Sequence, residues 1–172
     1  MTTTKTFDIE LKNVKIAQYL SEETTAFAAS IYVDGKKAGT AKNDGHGGPN
    51  FVDWNDNELG RQVEAWANAL PACKSDYSED GLSMNMDFYI SMLIEKHDLF
   101  SQIKRWIKKN VVFRLKGDDE GAWRQVGKRN ANDAPAVIKW IKDNNKNIEV
   151  IISTNDEAKA YAFARVYEEV DS

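Results

Sequence analysis

The chain has 172 residues, of which 42% are hydrophobic and 29% are charged, and its formal net charge is −4. This balance excludes an intrinsically disordered chain, because it supplies enough apolar side chains for a core, and the length predicts one domain over 1–172. No stretch approaches the roughly 18 continuous apolar residues of a membrane helix, and the N-terminus lacks a signal-peptide pattern. We therefore expect a cytoplasmic protein that does not contact a membrane.

The first third of the chain predicts β-hairpins. Apolar and polar residues alternate over 6–18, which is typical of a half-buried strand, and the shift of the alternation at Asn13 predicts a β-bulge. Asp34 and Gly35 predict a two-residue hairpin turn, since both central positions of that turn need a positive φ. The returning strand is predicted over 36–42.

The stretch 41–54, AKNDGHGGPNFVDW, holds three glycines and one of the two histidines. It lacks the lysine and the following helix of a phosphate-binding loop. Its asparagine, aspartate and glycine residues accept a positive φ, so we interpret the stretch as a structural turn. The alternative is a ligand site, with a metal as one form of ligand. Its candidate residues are Asn43, Asp44, His46 and Asp53.

The middle of the chain predicts helices. An apolar stripe that includes Trp66 predicts a helix over 57–70, capped by Asp56 or Asn57 and ended by Pro71. The polar segment 71–82 reads as a connector and is the best place for a subdivision of the domain. Apolar residues three or four apart then predict a long helix over 83–109.

His97 and Asp98 lie inside that long helix and form an HD pair. In a metal-dependent phosphohydrolase such a pair needs a further histidine on a neighbouring helix. The only other histidine is His46, in a loop, whereas His97 continues the apolar stripe. We interpret His97 as a core or boundary residue and allow a break in the helix beside it, because Asp98 can cap a second helix.

The last third of the chain predicts a hairpin, a helix, a strand and a terminal element. The hairpin joins 111–116 to 122–126, with Val111, Phe113 and Leu115 facing inward and Arg114 and Lys116 facing solvent. Asp133 is predicted to cap the following helix, with Pro135 in its first turn. A strand is predicted over 148–152.

A capping box formed by Thr154 and Glu157 predicts a helix over 155–169, although the alternation AYAFARVY leaves a strand open. Runs of strands and runs of helices, without regular βαβ alternation, indicate the α+β class. We expect a largely antiparallel sheet that is built from hairpins and packed against helices.

The charges are unevenly distributed. The segment 104–129 has nine basic and three acidic side chains, a net charge of +6, which leaves −10 for the rest of the chain. One interpretation is a surface for phosphates and a stacked base, and the other is a hairpin that Asp118, Asp119 and Glu120 neutralise. The candidate partner-binding residues are Lys104, Arg105, Lys108, Arg114, Lys116, Trp123 and Arg124.

Cys73 is the only cysteine, so no intramolecular disulfide forms and a reducing compartment is expected. Lys74 beside it can lower the pKa of a thiol, but no histidine is placed to make Cys73 a nucleophile. We find no complete catalytic set, no metal ligand set and no cofactor motif in the sequence. We therefore expect a non-enzymatic protein.

The runs IYVDGKKAGTAKNDGHGG and VVFRLKGDDEGAWRQV resemble segments of small uncharacterised proteins of bacteriophages and mobile elements. The resemblance covers these two blocks, implies a protein that acts on host machinery and assigns a role to no residue. We expect a binding or inhibitory protein that docks on a host macromolecule, most readily another protein. The alternatives are nucleic-acid or nucleotide binding through 104–129, and a metal-dependent hydrolase that uses the loop 43–53.

Overall fold

The computed structural model describes residues 6–75 and 78–164, without the side chains of 75, 78 and 79. Every strand pair in these ranges is antiparallel and helices alternate with groups of strands, so the predicted α+β class is confirmed. The chain divides into two compact units, one with the described residues up to Glu95 and the other from Lys96 onward. This division falls at Glu95, whereas the sequence favours the connector 71–82.

The first unit contains a four-stranded sheet of β1 (Ile9–Ile16), β2 (Phe27–Val33), β3 (Lys36–Asn43) and β4 (Phe51–Trp54), in that order. The predicted bulge is confirmed, because the register shifts between Lys12 and Lys15 and Asn13 has a φ of 53°. The predicted turn is confirmed too, since the φ of Asp34 is 49° and that of Gly35 is 77°.

Two helices cover one face of this sheet. They are α1 (Asn57–Asn68), which Asp56 caps through the N–H groups of Glu58 and Leu59 as predicted, and the first half of α2 (Met86–Trp106). The half-buried Trp66 meets the rings of Phe7 and Tyr89 edge-on. The core residues include Ile9, Leu11, Phe27, Ala29, Ile31, Val33, Val63, Ala67, Ile90 and Ile94.

The connector predicted over 71–82 is wrong, and the break that the sequence allows beside His97 does not occur. The polar segment 71–82 contains a hairpin of β5 (Cys73–Ser75) and β6 (Ser78–Leu82). Both strands are short and mostly polar, so the sequence shows no alternation of apolar and polar residues there. Helix α2 also continues past His97 without a break, because no glycine or proline interrupts it. His97 is half-buried and packs edge-on against the ring of Phe163, which fits the predicted boundary residue.

The second unit contains a three-stranded sheet of β7 (Asn110–Leu115), β8 (Arg124–Gly127) and β9 (Ile148–Ile152), in the order β8-β7-β9. Helix α3 (Ala134–Asn144) packs on the face that carries Val111 and Phe113. The end of α2 and helix α4 (Asn155–Ala164) pack on the face that carries Val112. Both faces of this sheet are therefore covered by apolar side chains.

The capping predictions in the second unit have different outcomes. Thr154 and Glu157 form the predicted capping box, so 155–164 is helix, while 165–169 lies outside the described residues. Asp133 does occupy the N-cap position of α3, but it makes no capping hydrogen bond with its side chain, because its carboxylate accepts the N–H groups of Arg129 and Asn130 instead. Pro135 does lie in the first turn of α3. Across the part of the chain that the structure describes, no helix combines the length and apolar character that crossing a membrane requires.

Candidate functional site

The glycine-rich loop between β3 and β4 is organised by a single buried side chain, Asn43. Its Oδ1 accepts the Thr24 hydroxyl at 2.8 Å and the Gly45 N–H at 2.9 Å. Its Nδ2 donates to the Gly48 carbonyl at 3.2 Å and to Asn50 Oδ1 at 3.1 Å. The amide of Asn43 thus bonds along the whole length of the loop, which makes it a structural organiser.

The glycines of this loop have the conformation that the sequence predicts. Gly45, Gly47 and Gly48 have φ values of 89°, 88° and 89°. The Gly45 carbonyl also accepts the N–H groups of Glu22, Glu23 and Thr24, which ties the loop to the segment before β2. The prediction of a glycine-dependent turn is confirmed.

The candidate residues of the alternative ligand site in this loop lie in different surroundings. His46 is exposed, with Nδ1 3.2 Å from Oε2 of Glu22, and Asp44 is exposed beside it. Asp53 lies on β4, opposite Thr40 of β3. Within 6–75 and 78–164, no group of three histidine, cysteine, aspartate or glutamate residues is arranged to hold a metal ion. Cys73 is buried, with its thiol 3.5 Å from the sulfur of Met84.

A polar pocket of about 230 Å³ lies beside the loop. The loop is fastened to α2 there, because Asn50 donates its N–H to Asp87 Oδ1 at 2.7 Å and its amide to the Ser91 hydroxyl at 2.8 Å. Sequence analysis misses this pocket, although Asp87, Ser91 and Glu95 are four residues apart and so share one face of the helix. The lining includes carboxylates and no lysine or arginine, so it does not suit an anionic ligand.

The hairpin of β7 and β8 neutralises one of its own arginines, Arg124. Arg124 donates two hydrogen bonds to Asp118, at 3.1 and 2.7 Å. The Arg124 guanidinium and the Leu115 N–H, which lies 2.9 Å from the carboxylate, lower the pKa of Asp118 to about 2. An arginine in such a bidentate pair keeps its charge but offers fewer donors to a partner.

Arg114 does not face solvent, so that prediction is wrong. Its side chain is only 12% exposed, lies 5.7 Å from the Trp123 ring centroid and donates to the carbonyls of Asp118 and Asp119. The prediction assumes a strand with one wet face, whereas helices cover both faces of this sheet. The candidate partner-binding residues also include Lys104, Arg105, Lys108 and Lys116, which are exposed. Among the residues that the structure describes, none of these four side chains forms an ion pair.

The four-stranded sheet has a second face, opposite its core, that stays open to solvent. The strand register places side chains of this face in two rows that cross all four strands. We call these residues the outer face. The rows are Lys15, Ala28, Lys42 and Phe51, and Lys12, Ser30, Thr40 and Asp53. They line a groove of about 420 Å³, except for Lys12, which lies at its margin.

The outer face combines a floor of small side chains with cations and an aromatic ring. Ala28 is exposed in the middle of the sheet, and the Phe51 side chain is 62% exposed at the edge strand. Lys42 Nζ lies 5.6 Å from the Phe51 ring centroid. Sequence analysis misses this surface, because its lysines are far apart in the chain and only the register brings them together.

No protein-family model, no curated protein and no solved structure matches the chain.

Proposed function

We propose that the chain is a non-enzymatic binding protein that docks on a polyanionic macromolecule through the outer face. The observation that carries this proposal is the row in which Lys15 and Lys42 lie on either side of the exposed Ala28. Neighbouring strands are about 4.8 Å apart, so these lysines stand roughly 10 Å apart over a floor with no bulky side chain. A polymer with regularly spaced negative groups can lie on that floor and contact both.

The charge of the outer face and its margin is opposite to that of the whole chain. Register places Lys37 opposite Tyr32, on the same side of the sheet as Lys12, Lys15 and Lys42. Glu10 and Asp53 are the acidic side chains that share this side, and Glu10 already contacts Lys12 at 3.2 Å. A net positive face on a chain with a net charge of −4 provides a local field that attracts an anion and orients it.

The outer face suits this function better than the hairpin of β7 and β8. Arg114 and Arg124 of the hairpin already hydrogen-bond to groups of their own loop. Among the residues that the structure describes, Lys15 and Lys42 make no ion pair, so an incoming anion breaks no salt bridge to reach them. An inhibitory role on a host target and the bacteriophage resemblance stay predictions.

The test compares two double charge reversals with the wild type. Lys15→Glu with Lys42→Glu alters the outer face, and Lys104→Glu with Lys108→Glu makes the same charge change on α2. Binding of fluorescein-labelled heparin, a polyanion without bases, is measured by anisotropy at low salt. We expect the outer-face variant to lose about tenfold or more in affinity and the control to stay within about threefold of wild type. Loss in the control alone would move the site to the segment 104–129, and absence of binding by the wild type would overturn the proposal.

A further inference from the structure

Phe51 gives the outer face a feature that simple attraction of a polyanion does not need. Residues alternate along β4, so Val52 and Trp54 pack toward the core while Phe51 projects to the other side. The ring is 62% exposed and stands in the same cross-strand row as Lys42 and Lys15. An exposed aromatic ring beside two lysines is the combination that binds unpaired bases by stacking and holds their phosphates by charge.

We propose that the polyanion is a single-stranded nucleic acid, with one base stacked on Phe51 and adjacent phosphates held by Lys42 and Lys15. This inference rests on the proposed function, since it names the partner of the same surface. Stacking on a side chain needs a base that is free of its complementary strand, so duplexes are disfavoured. An acidic peptide would use the lysines but would gain little from the ring.

The edge strand that carries Phe51 is fixed at both ends, so the ring is presented by a rigid support. Before it, the Asn50 side-chain amide donates to the Asp87 carbonyl at 2.9 Å and to the Ser91 hydroxyl at 2.8 Å, and its Oδ1 accepts a hydrogen bond from Asn43 Nδ2 at 3.1 Å. After it, Trp54 packs against Gly60, where a Cβ would come within 2.6 Å of the indole ring. Trp54 also donates its Nε1–H to Glu64 at 3.0 Å. A fixed platform loses little conformational entropy when a base stacks on it.

The second row of the outer face orients the strand. Thr40 places an exposed hydroxyl group in the middle of this face, where it can donate to a phosphate or to a sugar oxygen, whereas Ser30 beside it is buried. Asp53 lies two residues after Phe51 on the same face, and its carboxylate repels phosphates. The phosphate backbone therefore runs along the row of Lys15 and Lys42, with the bases toward the edge strand.

The experiment separates stacking from charge. Anisotropy is measured for fluorescein-labelled dT12, for an abasic oligonucleotide of the same length, for a 12-base-pair duplex and for heparin. The proteins are the wild type, Phe51→Ala and Phe51→Tyr, each checked by thermal melting, because an exposed ring contributes little to the fold. We expect Phe51→Ala to weaken dT12 binding about 5- to 100-fold, Phe51→Tyr to restore it, and the affinity for heparin and the abasic strand to stay unchanged.

Two results overturn the inference and leave the proposed function intact. One is equal binding of dT12 by the wild type and Phe51→Ala, with an abasic strand bound as tightly as dT12. The other is a duplex that binds as tightly as the single strand. If the wild type binds neither heparin nor any oligonucleotide, the proposed function fails as well, so the two failures are distinguishable.

Discussion

Lys15 and Lys42 pair with the same residue, Ala28, from opposite sides of strand β2. Their separation of about 10 Å is close to the Debye length of about 10 Å at 0.1 M salt, so they repel each other weakly. An anion that lies over Ala28 attracts both lysines at shorter range. Under the proposed function, phosphate groups that lie between Lys15 and Lys42 would replace the counterions bound there.

The salt dependence of oligonucleotide binding follows from that relationship. If Lys15 and Lys42 each contact one phosphate of a single strand, the logarithm of the binding constant falls with the logarithm of salt concentration with a slope of about −1.4. Lys42→Gln should reduce the slope by about 0.7. Anisotropy titrations of dT12 between low and physiological salt measure both values, and a slope near zero would show that charge does not hold the strand.

Gly45 and Gly48 form a matched pair for testing the loop. Both have a φ of 89°, but a Cβ at Gly45 would collide with the carbonyl oxygen of Leu20, whereas a Cβ at Gly48 meets no atom within 4 Å. We expect Gly48→Ala to destabilise the protein by about 1 kcal/mol through its backbone alone, and Gly45→Ala to cost about 3 kcal/mol. Urea unfolding measures the difference, and equal losses would contradict the packing of this loop.

Trp66 and Trp140 test the helix assignments. Trp66 packs between Phe7 and Tyr89, so Trp66→Ala should lower the free energy of unfolding by about 3 kcal/mol. Trp140 is 53% exposed on α3, and Trp140→Ala should stay within about 0.5 kcal/mol of the wild type. Chemical denaturation compares the two variants. A Trp66→Ala protein as stable as the wild type would mean that the apolar stripe of α1 does not face the core.

Asp118 makes the stability of the second unit depend on pH in the acid range. Its pKa falls from 3.8 to about 2 on folding, so its contribution to stability is present above about pH 4 and is lost as the pH falls toward 2. Asp118→Asn should therefore be less stable than the wild type at neutral pH, with the difference shrinking between pH 4 and 2. Asp119→Asn is the control from the same loop. Urea midpoints across this pH range measure the effect, and a difference that does not change with pH would argue against the Arg124 pair.

Local signals in the sequence predict much of the fold. Asn13, Asp34 and Gly35 carry their conformation in their own chemistry, and Asp56 and Thr154 cap helices through neighbours in the chain. Asp133 is the exception, because it is the last residue of a short 3-10 turn that Asn130 caps, and its carboxylate bonds back to the start of that turn and not to α3. Signals of this kind need no knowledge of distant residues.

The candidate site depends on register and on layers, which the sequence does not reveal. Lys15 and Lys42 become neighbours of Ala28 only through the pairing of three strands, including a bulge. Arg114 loses its exposure because the Trp123 ring, the loop carbonyls of Asp118 and Asp119 and the carboxylate of Glu149 on β9 surround its guanidinium. The basic segment 104–129 is conspicuous in the sequence because its charges lie close together in the chain, whereas the outer face is built from dispersed lysines.

The most direct measurement is a nuclear magnetic resonance titration of the ¹⁵N-labelled full chain with dT12. The account predicts that the largest amide shift changes occur at Lys15, Ala28, Thr40, Lys42 and Phe51, and that the amides of Lys104, Arg105 and Lys108 change little. Shift changes confined to 104–129, with the amides of β2, β3 and β4 unchanged, would contradict it.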